Sequence, residues 1–598
     1  MHVCAAPKLI RTFHIAANAG RAIAVPRSPS RCRTPHPPWL ISALAARPAP
    51  GMWAKLVSLE LWARGASHSG WRFPWRIKCG GCTQPGRVRP DAASALHDAA
   101  VTYPRHLIGE SDIGREFTRT PLACIDRMRC DPPRSGGIAG MPLEHVQPGV
   151  LLPIAERRSA GQNLRKLVPR SLHATWTPSA DREDPVKRII ETDRHRISHL
   201  LPIRYDRMRA SPLSYLRGTA AVMAADLATT PASGLWVQSC GDCHLNNFGA
   251  FASPEGTAVF DVNDFDETLP APFEWDLKRL ATSFALAGRA LGMTTKACRH
   301  LARTAMQAYR LNMTDLVPLE PLAAWRTRVD VGQVVAGLPD EKLREREQRR
   351  LAAITDAGRR GYPKLVEKRR GAWRIRERPP LVFSLTEQGD DSHEMAARSA
   401  FESYKITMPE ERRLLLDRYR LVDVAFKVVG VGSVGTFCAI ALLATPNDAT
   451  LLLQIKEARA SVLAPYAGPS IYANQGQRVV IGQRIMQTTP DLFLGWTMDP
   501  GDDQRCYVRR FRDGRLAMIS AELSDAGLAH HAILCGATLA RAHARSGDAA
   551  RIAGYMGSGG VFDAAIADFA IAYMTQTERD WRLFVDAIKA GRIEARPP

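Results

Sequence analysis

Gly241-Asp242-Cys243-His244-Leu245-Asn246-Asn247, with Phe260-Asp261-Val262-Asn263-Asp264-Phe265-Asp266-Glu267 close behind it, is the stretch on which the reading of this chain turns. A short apolar run, Trp236–Ser239, precedes it and reads as a buried strand. Residues 241–251 read as a polar loop, and Ala258–Val262 as a second strand that runs into an acidic turn. Asp242, His244, Asn247, Asp261, Asp264 and Asp266 all fall within 25 residues. Carboxylates so crowded repel one another unless a cation joins them. Phosphoryl transfer needs few parts: a carboxylate to take the acceptor hydroxyl's proton, and an Asn with a carboxylate to hold Mg²⁺ against phosphates. Asp242 and Asn247, five apart, and Asp264-Phe265-Asp266 supply those parts, with Asp266 or Asp261 as further ligands. A capped polar turn is the plainer use of the same residues.

The second constellation is Gly430-Val431-Gly432-Ser433-Val434-Gly435. A dinucleotide fold needs such glycines between a strand and a helix. Here they lie between two β-rich runs, Val422–Val429 and Phe437–Ala444. A third run, Thr450–Lys456, follows a hairpin turn at Thr445-Pro446-Asn447-Asp448. Strand, glycine loop, strand, hairpin, strand ending in Lys456 is the order of the protein-kinase ATP clamp. Backbone N–H groups approach phosphate there, and a lysine adds a point charge. A glycine-rich hairpin with a snorkelling lysine is the alternative.

Both constellations fall among segments that carry a resemblance. They are joined by Ser211-Pro212-Leu213-Ser214-Tyr215-Leu216-Arg217-Gly218, Glu274-Trp275-Asp276-Leu277-Lys278-Arg279-Leu280, Gln454-Ile455-Lys456-Glu457-Ala458 and the run from Ala540 to Asp548. Over about 157–590 the chain is similar to the bacterial family called domain of unknown function 2252. More distantly, Asp242, His244 and Asn247 resemble the catalytic loop of aminoglycoside phosphotransferases and related small-molecule kinases. Asp264-Phe265-Asp266 resembles their metal-binding turn, and Trp275-Asp276-Leu277 the start of their next helix. That resemblance implies Asp242 as the base, Asn247 and Asp264 as Mg²⁺ ligands, and Asp276 as a capping residue. In kinases the glycine loop and lysine come before the catalytic loop; here they come after it. Either a kinase-like fold is circularly permuted, or one of the two likenesses is coincidental.

The rest of the sequence bounds these readings. The chain has 598 residues, room for two to four domains. Its formal charge is +21, but 20 basic against 8 acidic residues fall in 1–140 alone, so the total is no argument for a nucleic-acid groove. No basic stripe interleaved with aromatics marks such a groove either. No apolar run approaches the ~18 residues of a membrane span. Twelve Cys in this length make no disulfide scaffold, which favours a reducing, cytoplasmic setting. Cys79-Gly80-Gly81-Cys82 lacks a second ligand pair at zinc spacing. Cys240-Gly241-Asp242-Cys243-His244 fits a c-type haem string, and also a redox pair, but no secretory signal accompanies the first and no helix follows for the second.

The expected architecture is α+β. It comprises a low-order basic extension at 1–140, which Met141 would exclude as an alternative start, then a mainly helical lobe at 157–420. A β-rich lobe follows at 421–515, and C-terminal helices at 516–598 return to the helical lobe. Helices are expected over Asp184–Leu200, Ser211–Leu227, Trp275–Leu291, much of 292–420, Ser524–Ala544 and Phe562–Ile588. The expected function is an ATP/Mg²⁺-dependent phosphotransferase with a small-molecule hydroxyl acceptor. Asp242, His244 and Arg217 are its candidate catalytic residues. Gly430, Gly432, Ser433, Gly435 and Lys456 would hold nucleotide, and Asn247, Asp264 and Asp266 the metal. Arg217 is preferred to Arg509-Arg510 for phosphate because its neighbours are apolar. Arg545 and Asp548 are weaker candidates, and Trp496 reads as core. A non-catalytic nucleotide-binding module and a metal-dependent hydrolase using Asp242, His244, Asp264 and Asp266 are the alternatives.

Overall fold

The computed structural model describes residues 152–598, except 337–340, 342–343, 350, 353–361, 363, 385–391, 498–504, 512–524 and 598. The expectations for 1–140, Cys79 and Cys82 among them, lie outside the described residues. The described chain is a mixed α+β structure. Its strands are β1 (Trp236–Ser239), β2 (Phe248–Ala252), β3 (Ala258–Val262), β4 (Leu269–Pro272), β5 (Val329–Asp330), β6 (Val366–Arg369), β7 (Ala372–Ile375), β8 (Val382–Ser384), β9 (Arg420–Lys427), β10 (Cys438–Ala444), β11 (Thr450–Glu457), β12 (Gly495–Trp496) and β13 (Cys506–Arg510). The helices that matter here are α1 (Leu201–Arg209), α2 (Pro212–Gly218), α3 (Ala220–Ala228), α4 (Phe273–Ala290), α5 (Thr295–Leu316), α6 (Ser392–Ile406), α7 (Gln475–Met486), α8 (Asp525–Ala544), α9 (Ala549–Met556) and α10 (Val561–Lys589).

One antiparallel sheet has the order β12-β13-β11-β10-β9-β8. Its central strands, β10 and β11, are almost wholly apolar because both faces are covered. On one face Ala439, Ala441, Leu453 and Ile455 pack against Phe401 and Tyr404 of α6. On the other, Ile440, Leu442 and Leu452 meet Val366 and Ile375 of the β6–β7 hairpin. Side chains alternate along a strand, so Cys438, Gln454 and Lys456 share this second face. Register places Lys456 opposite Cys438 on one neighbour and Tyr507 on the other, and Gln454 opposite Arg509. The sheet thus ends in a polar patch built from every second residue.

The helical part is organised around α4, in which every residue from Phe273 to Gly288 is buried. A helix covered all round belongs at the centre of its layer, and α5, α8 and α10 enclose it. Two small sheets, β1–β4 and β2–β3–β5, accompany it; β4 leads directly into its N-terminus, and β3 packs against α8. They carry the two loops quoted above, 240–247 between β1 and β2 and 263–268 between β3 and β4.

Several expected boundaries move. Residues 241–251 do not stay a loop: Phe248–Ala252 pairs with β3, because Phe248, Ala250 and Phe251 are buried. The helix expected over Asp184–Leu200 stops at Asp193, whose carboxylate takes Arg196 and Arg204. Ser211 does cap a helix, accepting from the Ser214 N–H, with Pro212 in the first turn. That helix breaks at Thr219, whose hydroxyl donates to the carbonyls of Tyr215 and Leu216. The span 292–420 contains β5–β8 as well as helices. Trp496 is half-buried at the sheet edge, under the Arg484 guanidinium. Among the described residues, no helix is long and apolar enough to cross a membrane.

The α5–α8 packing makes a test with a distinctive sign. Gly536 lies inside α8, and an added Cβ would stand 2.2 Å from the Ala305 carbonyl oxygen of α5. In an open helix Gly→Ala gains about 1 kcal/mol. Here overpacking dominates, and Gly536→Ala is expected to lower stability by about 1–3 kcal/mol. Urea unfolding reads this as a lower midpoint at unchanged slope.

Candidate functional site

The loop after β1 is held from below by one carboxylate. Asp276, in the first turn of α4, accepts from the Cys240 N–H at 2.8 Å and the Gly241 N–H at 3.1 Å, and lies 3.2 Å from His543 Nε2. Gly241 has φ +79°, and an added Cβ would stand 2.3 Å from the Glu267 carbonyl oxygen, so only glycine fits between this loop and the acidic turn. The two loops are also joined by the Asn263 N–H, which donates to the Asn247 carbonyl at 2.8 Å.

Above that staple Asp242 is partly open, its side chain 21% exposed. Arg279, buried in α4, donates Nε to Asp242 Oδ1 at 2.7 Å and pairs with the same oxygen through Nη2. Asn247 commits its side-chain nitrogen to the Asp242 carbonyl at 2.8 Å, leaving its side-chain oxygen as an acceptor. His244 points inward: it is 2% exposed, with Nε2 3.7 Å from Asp242 Oδ2. Burial pushes its pKa down to about 3, despite the opposing pull of Asp242, so the ring is neutral.

The acidic turn meets the polar end of the sheet. Lys456 Nζ lies 4.0 Å from Asp264 Oδ1 and forms a close ion pair with Asp266. Burial alone would lower the lysine's pKa, but the two carboxylates outweigh it and hold the ammonium charged. Asp266 also accepts from the Tyr507 hydroxyl at 2.7 Å and from the Ser433 hydroxyl at 3.2 Å. Arg509 reaches the Asn263 carbonyl at 3.0 Å. Buried Arg478 of α7 takes the carbonyls of Asp266 and Thr268 at 2.8 and 2.6 Å.

The glycine loop is fastened from its outer side. Arg207 takes the Gly430 carbonyl at 2.5 Å, Arg204 those of Val431 and Gly432 at 2.7 and 3.0 Å, and Arg196 that of Val434 at 2.8 Å. The Ile197 N–H takes the Gly435 carbonyl at 2.7 Å. In a trans peptide the next residue's N–H points opposite to the carbonyl. The amides of Val431, Gly432, Ser433 and Gly435 therefore point away from this clamp, and those of Gly432, Ser433 and Gly435 make no hydrogen bond within the described residues. The loop passes close to Asp242: an added Cβ on Gly432 would stand 4.0 Å from its Oδ2.

Asp242, Asn247, Asp264, Asp266, Lys456 and the 430–435 loop are thus brought to one place. Arg217 joins them: its carbonyl is 3.2 Å from that same Gly432 Cβ position, and burial lowers its pKa against the charges of Asp242 and Asp264. Asp261 faces elsewhere, in a buried ion pair with Arg541. Asp548 caps α9 and pairs with Arg157, and Arg545 stacks on Trp325, so neither helix-end candidate reaches the site. Cys240, Cys243 and Asp276 offer ligand atoms within 4.8 Å of one another, but burial raises both thiol pKa values and Asp276 is already spent on the loop amides. Buried thiols with raised pKa values are not the setting of a reactive pair. Sequence reading missed Arg279, Arg478, Tyr507 and the clamp of Arg196, Arg204 and Arg207. Only Arg279 carried a legible signal, since Asp276 and Arg279 are three apart on one helix face.

Two measurements test this geometry. Asp276→Ala leaves two buried N–H groups without acceptors and is expected to lower stability by about 2–5 kcal/mol in chemical unfolding. For His244, the folded pKa lies below the unfolded value of 6.5. Between those values the unfolded chain binds the extra proton, so the histidine's effect is a stability that falls as pH falls from 6.5 toward 3. His244→Asn removes that loss. The stability gap between wild type and variant is expected to shift in the variant's favour by about 2–3 kcal/mol between pH 6.5 and 4.5.

Comparison with known proteins adds a family. Residues 196–587 match the family described as an uncharacterized protein conserved in bacteria (DUF2252). No curated protein and no solved structure matches the chain. The matched span covers more than half of the sequence and takes in both loops, the sheet and the arginine clamp; the chain belongs to the DUF2252 family.

Proposed function

We propose that this protein is an ATP- and Mg²⁺-dependent phosphotransferase acting on a hydroxyl of a small-molecule acceptor, on a circularly permuted, two-lobed kinase-like scaffold. The observation that carries the reading is the meeting of Lys456, from the sheet, with Asp264 and Asp266, from the acidic turn, beside a glycine loop that passes close to Asp242 and is tied to Asp266 through Ser433. Separate stretches of chain thus present amides and an ammonium on one side and oxygen donors on the other, which is what a nucleoside triphosphate and its counter-ion require.

Asn247 and Asp264 fit Mg²⁺ in kind: both offer hard oxygen donors, and the Asn263–Asn247 backbone bond keeps their loops together. When bound, the metal would neutralise phosphate charge and fix its orientation. The amides of Gly432, Ser433 and Gly435 and the Lys456 ammonium would hold phosphate oxygens, with Arg217 close by. Asp242 would receive the acceptor hydroxyl's proton as the acceptor oxygen bonds to the transferred phosphorus and the bond to the leaving diphosphate breaks. His244, neutral and buried, would support Asp242 from behind without carrying a proton. The six cysteines among the described residues are all free, which suits a reducing, cytoplasmic compartment.

The test is Mg²⁺-dependent ATP turnover by the full chain. Asp242→Asn is expected to lower kcat by about 10²–10⁴-fold while the protein stays folded. Lys456→Met is expected to weaken nucleotide binding at least about tenfold. Undiminished turnover in Asp242→Asn contradicts the reading. Binding without turnover in the wild type favours a nucleotide-binding module, and metal-dependent hydrolysis indifferent to Lys456→Met favours a hydrolase.

A further inference from the structure

Arg279 is 2% exposed, and its charged partner in the described structure is Asp242. Nε and Nη2 both donate to Oδ1 of that carboxylate, while Nη2 also donates to the Leu216 carbonyl at 2.8 Å. One oxygen with two donors is saturated. The other, Oδ2, is the one 4.0 Å from the Gly432 Cβ position and 3.7 Å from His244 Nε2, so it faces the glycine loop. The guanidinium projects from the buried stretch of α4, Phe273 to Gly288, three residues after the Asp276 that staples the loop amides.

From this we infer that Arg279 is the positioning residue of the proposed transfer, fixing which oxygen of Asp242 meets the acceptor; the inference rests on the phosphotransferase reading. By filling Oδ1, Arg279 fixes the carboxylate's rotation and leaves Oδ2 as the single oxygen available to a hydroxyl. Through Leu216 it also sets the end of α2, and so the place of Arg217. Arg279 touches no reacting atom; its effect passes through Asp242. A lysine would keep the charge but lose the two-pronged geometry.

The experiment uses Mg²⁺–ATP with water as the acceptor and the full chain. Arg279→Met is expected to lower kcat about a hundredfold, the scale of a small misplacement of a reacting group, with KM for ATP changed by less than about threefold. Arg279→Lys recovers part of that loss. In an Asp242→Asn background, Arg279→Met adds no further loss, because the residue acts through that carboxylate. A merely structural role would lower the unfolding temperature without separating kcat from KM, and Arg279→Met with wild-type kcat overturns the inference while leaving the functional reading intact. A wild-type chain that neither binds nor consumes Mg²⁺–ATP overturns the functional reading itself.

Discussion

A buried ammonium must have counter-charge, and Lys456 finds its own on a different part of the chain. Asp264 and Asp266 belong to the turn between β3 and β4, while Lys456 belongs to the centre of the six-stranded sheet. Isolated, a lysine buried to 2% exposure would shed its proton. The contact therefore joins sheet and acidic turn with a penalty for separating them, and everything else in the site is arranged about that joint. Tyr507 and Ser433 add hydrogen bonds to Asp266, and Arg478 holds the turn's backbone.

A second constraint acts on the glycine loop. Glycine-rich segments have the most conformational freedom to lose, yet this one is held at successive carbonyls by Arg196, Arg204 and Arg207. The outcome is a set of amides turned away from the clamp, three of which make no hydrogen bond among the described residues. Preorganised donors cost no reordering when an anion arrives, and that is the physical content of the nucleotide-site proposal.

Much of this was legible in the sequence, and the reasons are local. The apolar runs at 437–444 and 450–456 announce central strands, Ser211-Pro212 announces a helix start, and the Asp/Asn spacing announces a loop with chemistry. Thr219 and Asp193 were harder. Each ends a helix through its own side chain, and residue type alone does not reveal that. The polar residues Gln454, Tyr507 and Arg509 sit in apolar strands, and only the register that aligns them with Lys456 makes them a patch. The arginine clamp was illegible for a plainer reason. Its members lie more than 220 residues from the loop carbonyls they hold, and no local pattern marks them.

The most direct measurement is calorimetric titration of the full chain with ATP, in excess Mg²⁺ and again in excess chelator. The account predicts saturable one-to-one binding that weakens sharply when the cation is withdrawn, because the lysine and amides grip the phosphates from one side and the carboxylates need the metal to do so from the other. Absence of binding under both conditions, or equal binding in both, would contradict it.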